Sequence, residues 1–178
     1  MLQNILDVVA GALGFFVCGY AFAFGKGKFI GGGDEGLFCL SGLTTGTDMI
    51  DFFFQFAFAA SAATIVAGTI AERCKMQAYF LYAFTLTGFV YPIVVHAVWN
   101  SDGFLSVQNS DPLRGVGMID FAGSGVVHMT GGMCALIGAV ILGPRIGRFH
   151  DEEGKLLDEP VSFPPHSVAL QVLGTFSK

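Results

Sequence analysis

The chain has 178 residues, of which 53% are hydrophobic and 13% are charged, and its formal net charge is -5. Soluble domains carry about a quarter charged residues, so this composition favours a membrane protein. The acidic and basic residues stand between the apolar stretches and form no basic patch, which argues against a nucleic-acid partner.

Four uncharged stretches of membrane-spanning length follow one another along the chain, each near or above the roughly 20 residues that a helix needs to cross a bilayer. Spans are predicted at 5–25, 52–72, 77–100 and 120–143. A further apolar segment at 162–178 contains Pro164, Pro165 and His166 and is interpreted as a partial span. We therefore predict an all-α, polytopic membrane helix bundle that occupies residues 1–178 as one domain.

Basic residues are unequally divided between the two ends of these spans. One end carries Lys26, Lys28 and Arg114. The other end carries five basic residues, Arg73, Lys75, Arg145, Arg148 and Lys155. Positive charge concentrates on cytoplasmic loops. We therefore expect the second group to be cytoplasmic and the loops at 26–51 and 101–120 to be external.

Aromatic residues gather near the expected external ends of two spans. Phe54 and Phe58 lie one helical turn apart on the second span, and Trp99 ends the third. Packing against lipid or other helices accounts for such phenylalanines, and an interfacial belt accounts for Trp99. Together, however, aromatic faces attract a cation by about 0.5 to 2 kcal/mol each as water is removed. The residues alone leave both interpretations open.

Two ionisable residues belong to the fourth predicted span. Asp120 stands at its start, where a carboxylate accepts hydrogen bonds from the free N–H groups of the first helical turn, so we assign it a structural role. His128 lies roughly 10 Å below the outer boundary. Gly131, Ala135 and Ala139 follow His128 at spacings that form a small-residue stripe suited to close packing. From spacing alone, His128 either bonds a neighbouring helix or lines a conduction path.

The same residue types also occur in two other kinds of functional site. Asp120, Ser124 and His128 share a helical face, as in a hydrolase triad, but Ser124 lacks the G-x-S-x-G elbow, so we predict no enzyme. His96 and His128 as axial haem ligands would make an electron carrier. The two histidines, however, differ in depth by roughly a helical turn. We expect no cofactor and no metal.

The stretch that begins at Asp120, "DFAGSGVVHMTGGMCALIGAVILGPRIGRF", resembles the ammonium transporter family, in particular its plant and algal branch. Segments that begin at Gly19, Phe54 and Thr87 are similar to successive family helices in the same order. The resemblance covers nearly the whole chain, from about family helix 2 to the start of helix 6. It implies a homotrimer in the lipid bilayer, expected in the plasma membrane, with a narrow pore for ammonium or ammonia in each protomer.

The resemblance also implies roles for individual residues. Phe58 matches the outer gate, Phe54 lies just above it, Trp99 lines the recruitment vestibule, His128 is the first of two pore histidines, and Asp120 supports the recruitment site. An apolar constriction behind such a site favours an ion that can lose a proton, which potassium cannot do. An imidazole beyond the gate could then hydrogen-bond ammonia.

The resemblance further implies that this chain is a fragment. The first family helix and those after the start of the sixth lie outside the sequence, including the second pore histidine. We therefore expect the chain alone not to conduct. The alternative function is a truncated, non-conducting subunit that assembles with full-length ammonium transporters.

Overall fold

In the computed structural model, which describes residues 2–33 and 37–176, helices carry the architecture. The α-helices are α1 Leu2–Gly14, α2 Tyr20–Phe24, α3 Gly46–Ile70, α4 Met76–Thr85, α5 Tyr91–Trp99, α6 Thr130–Leu142 and α7 Val168–Phe176. Three π-helical turns adjoin them, at Phe15–Gly19, Leu86–Val90 and Ser124–Met129. Two of these turns join α1 to α2 and α4 to α5, so each pair forms one continuous helical segment.

In the part of the chain that the structure describes, four helical segments are long and apolar enough to cross a membrane. They are Gln3–Phe24, Gly46–Ile70, Met76–Trp99 and Ser124–Leu142. The predicted class, an all-α polytopic membrane bundle, is therefore confirmed.

The start of α3 differs from the sequence prediction for a local reason. The helix begins at Gly46 rather than at residue 52, because Thr45 and Asp48 form a capping box. The Thr45 hydroxyl accepts from the Asp48 N–H at 3.2 Å, and the Asp48 carboxylate accepts from the Thr45 N–H at 3.0 Å. Charge at Asp51 bounded the apolar stretch in the sequence, whereas in the structure the capping box that includes Asp48 starts the helix earlier.

The first and third spans pack with their backbones almost in contact. Thr87 is fully buried, and its hydroxyl donates to the Gly11 carbonyl of the first span at 3.0 Å. A Cβ added at Gly14 would lie 2.4 Å from the Phe84 carbonyl oxygen, so only a glycine fits there. Small residues permit this close approach between helices in membranes.

The second and fourth spans meet through part of the predicted small-residue stripe. Gly131 and Ala135 of α6 are buried, and a Cβ on Gly131 would lie 2.9 Å from the Ala62 carbonyl oxygen of α3. This contact fixes the position of α6 beside α3, which also carries Phe54 and Phe58.

The segment after Gly143 is a separate compact unit. Within it, the guanidinium groups of Arg145 and Arg148 lie 5.5 and 6.0 Å from the centroid of the Phe163 ring. Helix α7 falls inside the predicted partial span, whose last two residues lie outside the described part of the chain.

Candidate functional site

An aromatic groove of about 380 Å³ lies between the first half of α3, the end of α5 and the loop that leads to the Ser124–Met129 turn. Its lining residues are Phe24, Phe54, Gln55, Phe58, Val98, Trp99, Val107, Gln108, Met118, Ile119, Asp120 and Phe121. Four residues singled out from the sequence, Phe54, Phe58, Trp99 and Asp120, therefore lie around one cavity.

The aromatic rings of the groove form a chain of edge-to-face contacts. The ring centroids of Phe54 and Phe58 are 5.0 Å apart at 89°, and those of Phe58 and Trp99 are 5.4 Å apart at 69°. This geometry is favourable because the positive edge of one ring meets the negative face of the next. Phe54 is 57% exposed and Phe58 is half-buried, so this series of ring contacts runs inward from the surface.

The Asp120 carboxylate organises the loop that closes the groove. Oδ1 accepts from the N–H groups of Gly123 and Ser124 at 2.8 and 3.0 Å, and from the Ser124 hydroxyl. Oδ2 accepts from the N–H groups of Gly125 and Val126 at 2.9 and 2.7 Å. Burial favours a higher pKa for Asp120, but the backbone hydrogen bonds outweigh it and hold the pKa below its ordinary value. The carboxylate thus caps the helix from outside it, since the helical turn begins only at Ser124.

Asp120 also orients Trp99 through its backbone. The Trp99 indole Nε1–H donates to the Asp120 carbonyl oxygen at 2.7 Å. Gly123 has a φ of +91°, and a Cβ there would lie 2.5 Å from the Val127 side chain and 3.5 Å from the Trp99 ring. A glycine at this position therefore lets the loop turn closely around the indole.

The imidazole of His128 is oriented by the same glycine. Within the π-helical turn, the His128 backbone N–H and its Nδ1 lie 2.9 and 3.1 Å from the Gly123 carbonyl oxygen. A carbonyl only accepts, so we assign the ring hydrogen to Nδ1. Nε2 then carries a lone pair that can accept a hydrogen bond.

His128 lies on a different face of the fourth span from the buried part of the small-residue stripe. Its side chain is exposed in this chain and does not line the aromatic groove, whereas Gly131 and Ala135 are buried against α3. A π turn contains more residues than an α turn, so the α-helical spacing that aligned His128 with the stripe does not hold across Ser124–Met129.

The ring nitrogens of His96 contact backbone carbonyl groups. Its side chain is fully buried, and Nδ1 and Nε2 lie 3.0 and 2.6 Å from the carbonyl oxygens of Ala23 and Gly27. The Asn100 amide donates to the carbonyls of Ala23 and Gly25. Both ring nitrogens are occupied, so this geometry does not support the haem-ligand hypothesis.

Gln55 is a polar lining residue of the groove that was not predicted from the sequence. Its side-chain oxygen is buried, and among the described residues it has no hydrogen-bond partner. It lies between Phe54 and Phe58 in sequence and lines the groove with them. An amide inside an otherwise apolar membrane stretch is the signal that could have identified it.

Comparisons with known proteins agree with this architecture. The profile of the Ammonium Transporter Family matches residues 1–177. Ammonium transporter 1 member 1 of Oryza sativa subsp. japonica is 52% identical over 180 residues, covering 99% of this chain and 35% of that protein. Ammonium transporter 1 member 2 of Arabidopsis thaliana is 50% identical over 182 residues, covering 99% of this chain and 34% of that protein.

Solved structures give the same result for the fold. A protein described as Sensor Amt Protein superposes with a TM-score of 0.75 at 36% identity, covering 98% of this chain and 42% of that chain. A Mep2 mutant from Candida albicans superposes with a TM-score of 0.73 at 27% identity, covering 97% and 37%. The chain spans about a third of the length of the curated relatives it matches, which are transporters rather than enzymes. On the match of the family profile to residues 1–177, the chain belongs to the Ammonium Transporter Family.

Proposed function

We propose that this chain forms part of the wall of a pore that conducts ammonium or ammonia, with the aromatic groove as the external recruitment site. The observation that carries the proposal is the meeting of Phe54, Phe58 and Trp99 around one cavity, which Gln55 also lines. An aromatic surface and one hydrogen-bond acceptor together match a small cation that carries N–H groups.

Recruitment relies on ring faces and on Gln55. Each face that a cation contacts contributes about 0.5 to 2 kcal/mol, depending on how much water is excluded. A buried acceptor without a partner costs about 1–3 kcal/mol, and an N–H donor from the ligand removes that cost. The groove thus gains on binding an ammonium ion from two independent interactions.

Passage beyond the groove requires the ion to lose its water. Burying a charge in an apolar constriction is costly, and an ammonium ion lowers this cost by giving up a proton to water in the open groove. Potassium has no proton to release, so the constriction disfavours it. The Nε2 lone pair of His128 would then accept an N–H of ammonia further along the path.

We further propose that the functional assembly is a homotrimer in the lipid bilayer of the plasma membrane. This part of the proposal rests on family membership. It assigns one pore to each protomer, so that residues lining the pore act within one chain.

Uptake of radiolabelled methylammonium tests the proposal in a chimera, a full-length plant ammonium transporter whose matching segment is replaced by residues 1–178. We expect His128→Ala to lower uptake by about tenfold or more, since the acceptor that hydrogen-bonds ammonia along the path is removed. Cys134→Ala, which alters a side chain outside the aromatic groove, should leave uptake unchanged. Unchanged uptake in both variants would contradict the pore role of His128.

A non-conducting subunit that assembles with full-length transporters is the second candidate. It is favoured by the outward face of α6, where Met133, Leu136 and Val140 are 54%, 59% and 75% exposed. The test is co-purification of the tagged chain with a full-length transporter, with uptake measured in the same cells. Stable association of the chain with the transporter, without any uptake by the chain itself, would support this candidate. A lack of association between the two proteins would exclude it.

A further inference from the structure

A buried carboxyl group joins three helices at a distance from the aromatic groove. Asp7 of α1 is fully buried, and its Oδ2 lies 2.7 Å from the Tyr79 hydroxyl of α4. Its Oδ1 lies 2.8 Å from the Tyr82 hydroxyl, which is also 3.0 Å from the Ala63 carbonyl oxygen of α3. None of these residues lines the groove.

Among the described residues, two tyrosine hydroxyls are the groups that offset a negative charge on Asp7, and no cation pairs with it. From α3, the hydrogen-bond network of the described residues includes the backbone carbonyl of Ala63, and the Cys74 thiol is near enough to Tyr79 to interact with it electrostatically. An ionised carboxylate buried without a cation is strongly unfavourable, whereas a neutral carboxyl group with satisfied hydrogen bonds is tolerated.

The number of hydrogens that the contacts require also favours a protonated Asp7. Three oxygen–oxygen contacts lie within hydrogen-bond distance, and each needs one hydrogen. The phenols of Tyr79 and Tyr82 supply two of the three. With an ionised Asp7, Tyr82 would donate to the carboxylate and face the Ala63 carbonyl without a hydrogen between them. A proton on Oδ1 completes all three contacts, since Asp7 then donates to Tyr82 and Tyr82 donates to Ala63.

We propose that Asp7 is a proton-binding site inside the membrane, a neutral carboxylic acid whose proton completes the hydrogen-bond network between α1, α3 and α4. Tyr79 donates to Oδ2, and the chain from Asp7 through Tyr82 to Ala63 ties α4 to α3. Removing the proton breaks one of these contacts and leaves a buried charge. The site is independent of ammonium conduction, because it holds a proton between packed helices and not at the groove.

Infrared spectroscopy tests the proton directly in the purified 178-residue chain in detergent. A protonated carboxylic acid has a carbonyl stretch that is separate from the carboxylate bands. At neutral pH we expect the spectrum of the wild-type chain minus that of Asp7→Asn to contain one such band, and deuterium exchange should shift it. A difference spectrum that contains carboxylate bands instead would overturn the proposal.

Thermal unfolding in the same detergent gives a second readout. The Asp7→Asn amide can donate to Tyr82 and accept from Tyr79, so it reproduces the contacts of the neutral acid without titrating. The unfolded chain releases the Asp7 proton above about pH 3.9. Above that pH, each unit therefore lowers the folded-to-unfolded ratio of the wild type about tenfold relative to Asp7→Asn, as long as folded Asp7 keeps its proton.

We therefore expect the unfolding midpoint of the wild type to fall relative to that of Asp7→Asn as pH rises from 5 to 8. Asp7→Ala removes the bridge and should unfold at a lower temperature than Asp7→Asn at every pH. If Asp7→Ala does not fold, the comparison of wild type with Asp7→Asn stands alone. A difference between those two chains that stays constant over this range would overturn the proposal, because an ionised Asp7 would no longer distinguish the folded from the unfolded state.

Discussion

Trp99 depends on several neighbours for its position in the groove. Its indole N–H donates to the Asp120 carbonyl, and its ring contacts Phe58 at 5.4 Å between centroids. The Asp120 carboxylate in turn holds four consecutive N–H groups of the loop. The indole is therefore fixed on both its polar and its apolar side, as a preorganised cation site requires.

Trp99 is also the single tryptophan of the sequence, so its fluorescence reports on the groove alone. Titrating methylammonium into the purified chain should change this fluorescence saturably, while sodium chloride at the same ionic strength should not. Phe58→Leu removes a neighbouring ring and should raise the dissociation constant by about two- to fivefold, equivalent to roughly 0.5–1 kcal/mol. Equal responses to both salts would contradict the cation site.

Asp120→Asn tests how the groove is organised. An asparagine oxygen can accept two of the four N–H groups, and each N–H left unpaired costs roughly 1–3 kcal/mol. The variant should unfold at a lower temperature than the wild type at neutral pH, whereas Asp111→Asn, in an exposed loop, should not.

The difference in unfolding temperature between the wild type and Asp120→Asn should become smaller in acid. The backbone hydrogen bonds lower the pKa of Asp120 below its ordinary 3.8, so this stabilisation is present above that pH and is lost as pH falls through the lower value of the folded state. A difference that stays the same or grows below pH 3.8 would show that the carboxylate charge is not what the loop requires.

At the scale of the helices, apolar length predicted the four spans because crossing a bilayer needs a minimum of apolar residues. Where the spans begin was less predictable, since the start of α3 depends on reciprocal hydrogen bonds between Thr45 and Asp48. The turn Ser124–Met129 was not predicted either. Its extra residue follows from the way Asp120 and Gly123 hold the preceding loop, and it changes the direction of His128.

The groove likewise contains residues that the sequence predicted and a residue that it did not. The aromatic pattern and the family resemblance singled out Phe54, Phe58, Trp99 and Asp120, which the structure places together. Gln55 was missed because a lone amide between phenylalanines resembles a residue that simply bonds a neighbouring helix. Its lack of a partner becomes visible only when the packing around it is known.

Gly123→Ala tests how much the fourth span depends on the loop that precedes the Ser124–Met129 turn. An alanine at a φ of +91° is strained, and its Cβ would lie 2.5 Å from Val127, so a loss of roughly 2 to 5 kcal/mol is expected. Gly132→Ala is the matched control in the same segment. A Cβ at Gly132 meets nothing within 4 Å, and a helix gains about 0.5–1 kcal/mol from this change. Thermal unfolding of the two variants should therefore shift in opposite directions, and a common shift would contradict the account.

At the scale of the whole chain, two features of the proposed pathway face outward. His128 is exposed, and Phe54 is 57% exposed beside the open groove. A pathway that is walled on one side cannot exclude lipid or water along its length. The residues assigned to the pore therefore need further helices opposite them before they can conduct.

This exposure leads to a prediction for the chain by itself. Cells that express only residues 1–178 should accumulate no more radiolabelled methylammonium than cells with an empty vector, even when the chain is present in the membrane. Robust uptake by these cells would show that the chain, alone or as copies of itself, encloses a complete path.

The most direct test of the central claim, that the aromatic groove recruits the transported cation, is the KM for methylammonium uptake by the chimera. Trp99→Leu should raise KM by about 2- to 30-fold, equivalent to roughly 0.5–2 kcal/mol of lost cation–aromatic attraction, and Trp99→Phe should lie between that variant and the parent. An active chimera whose KM is the same with tryptophan, phenylalanine or leucine at this position would contradict the claim.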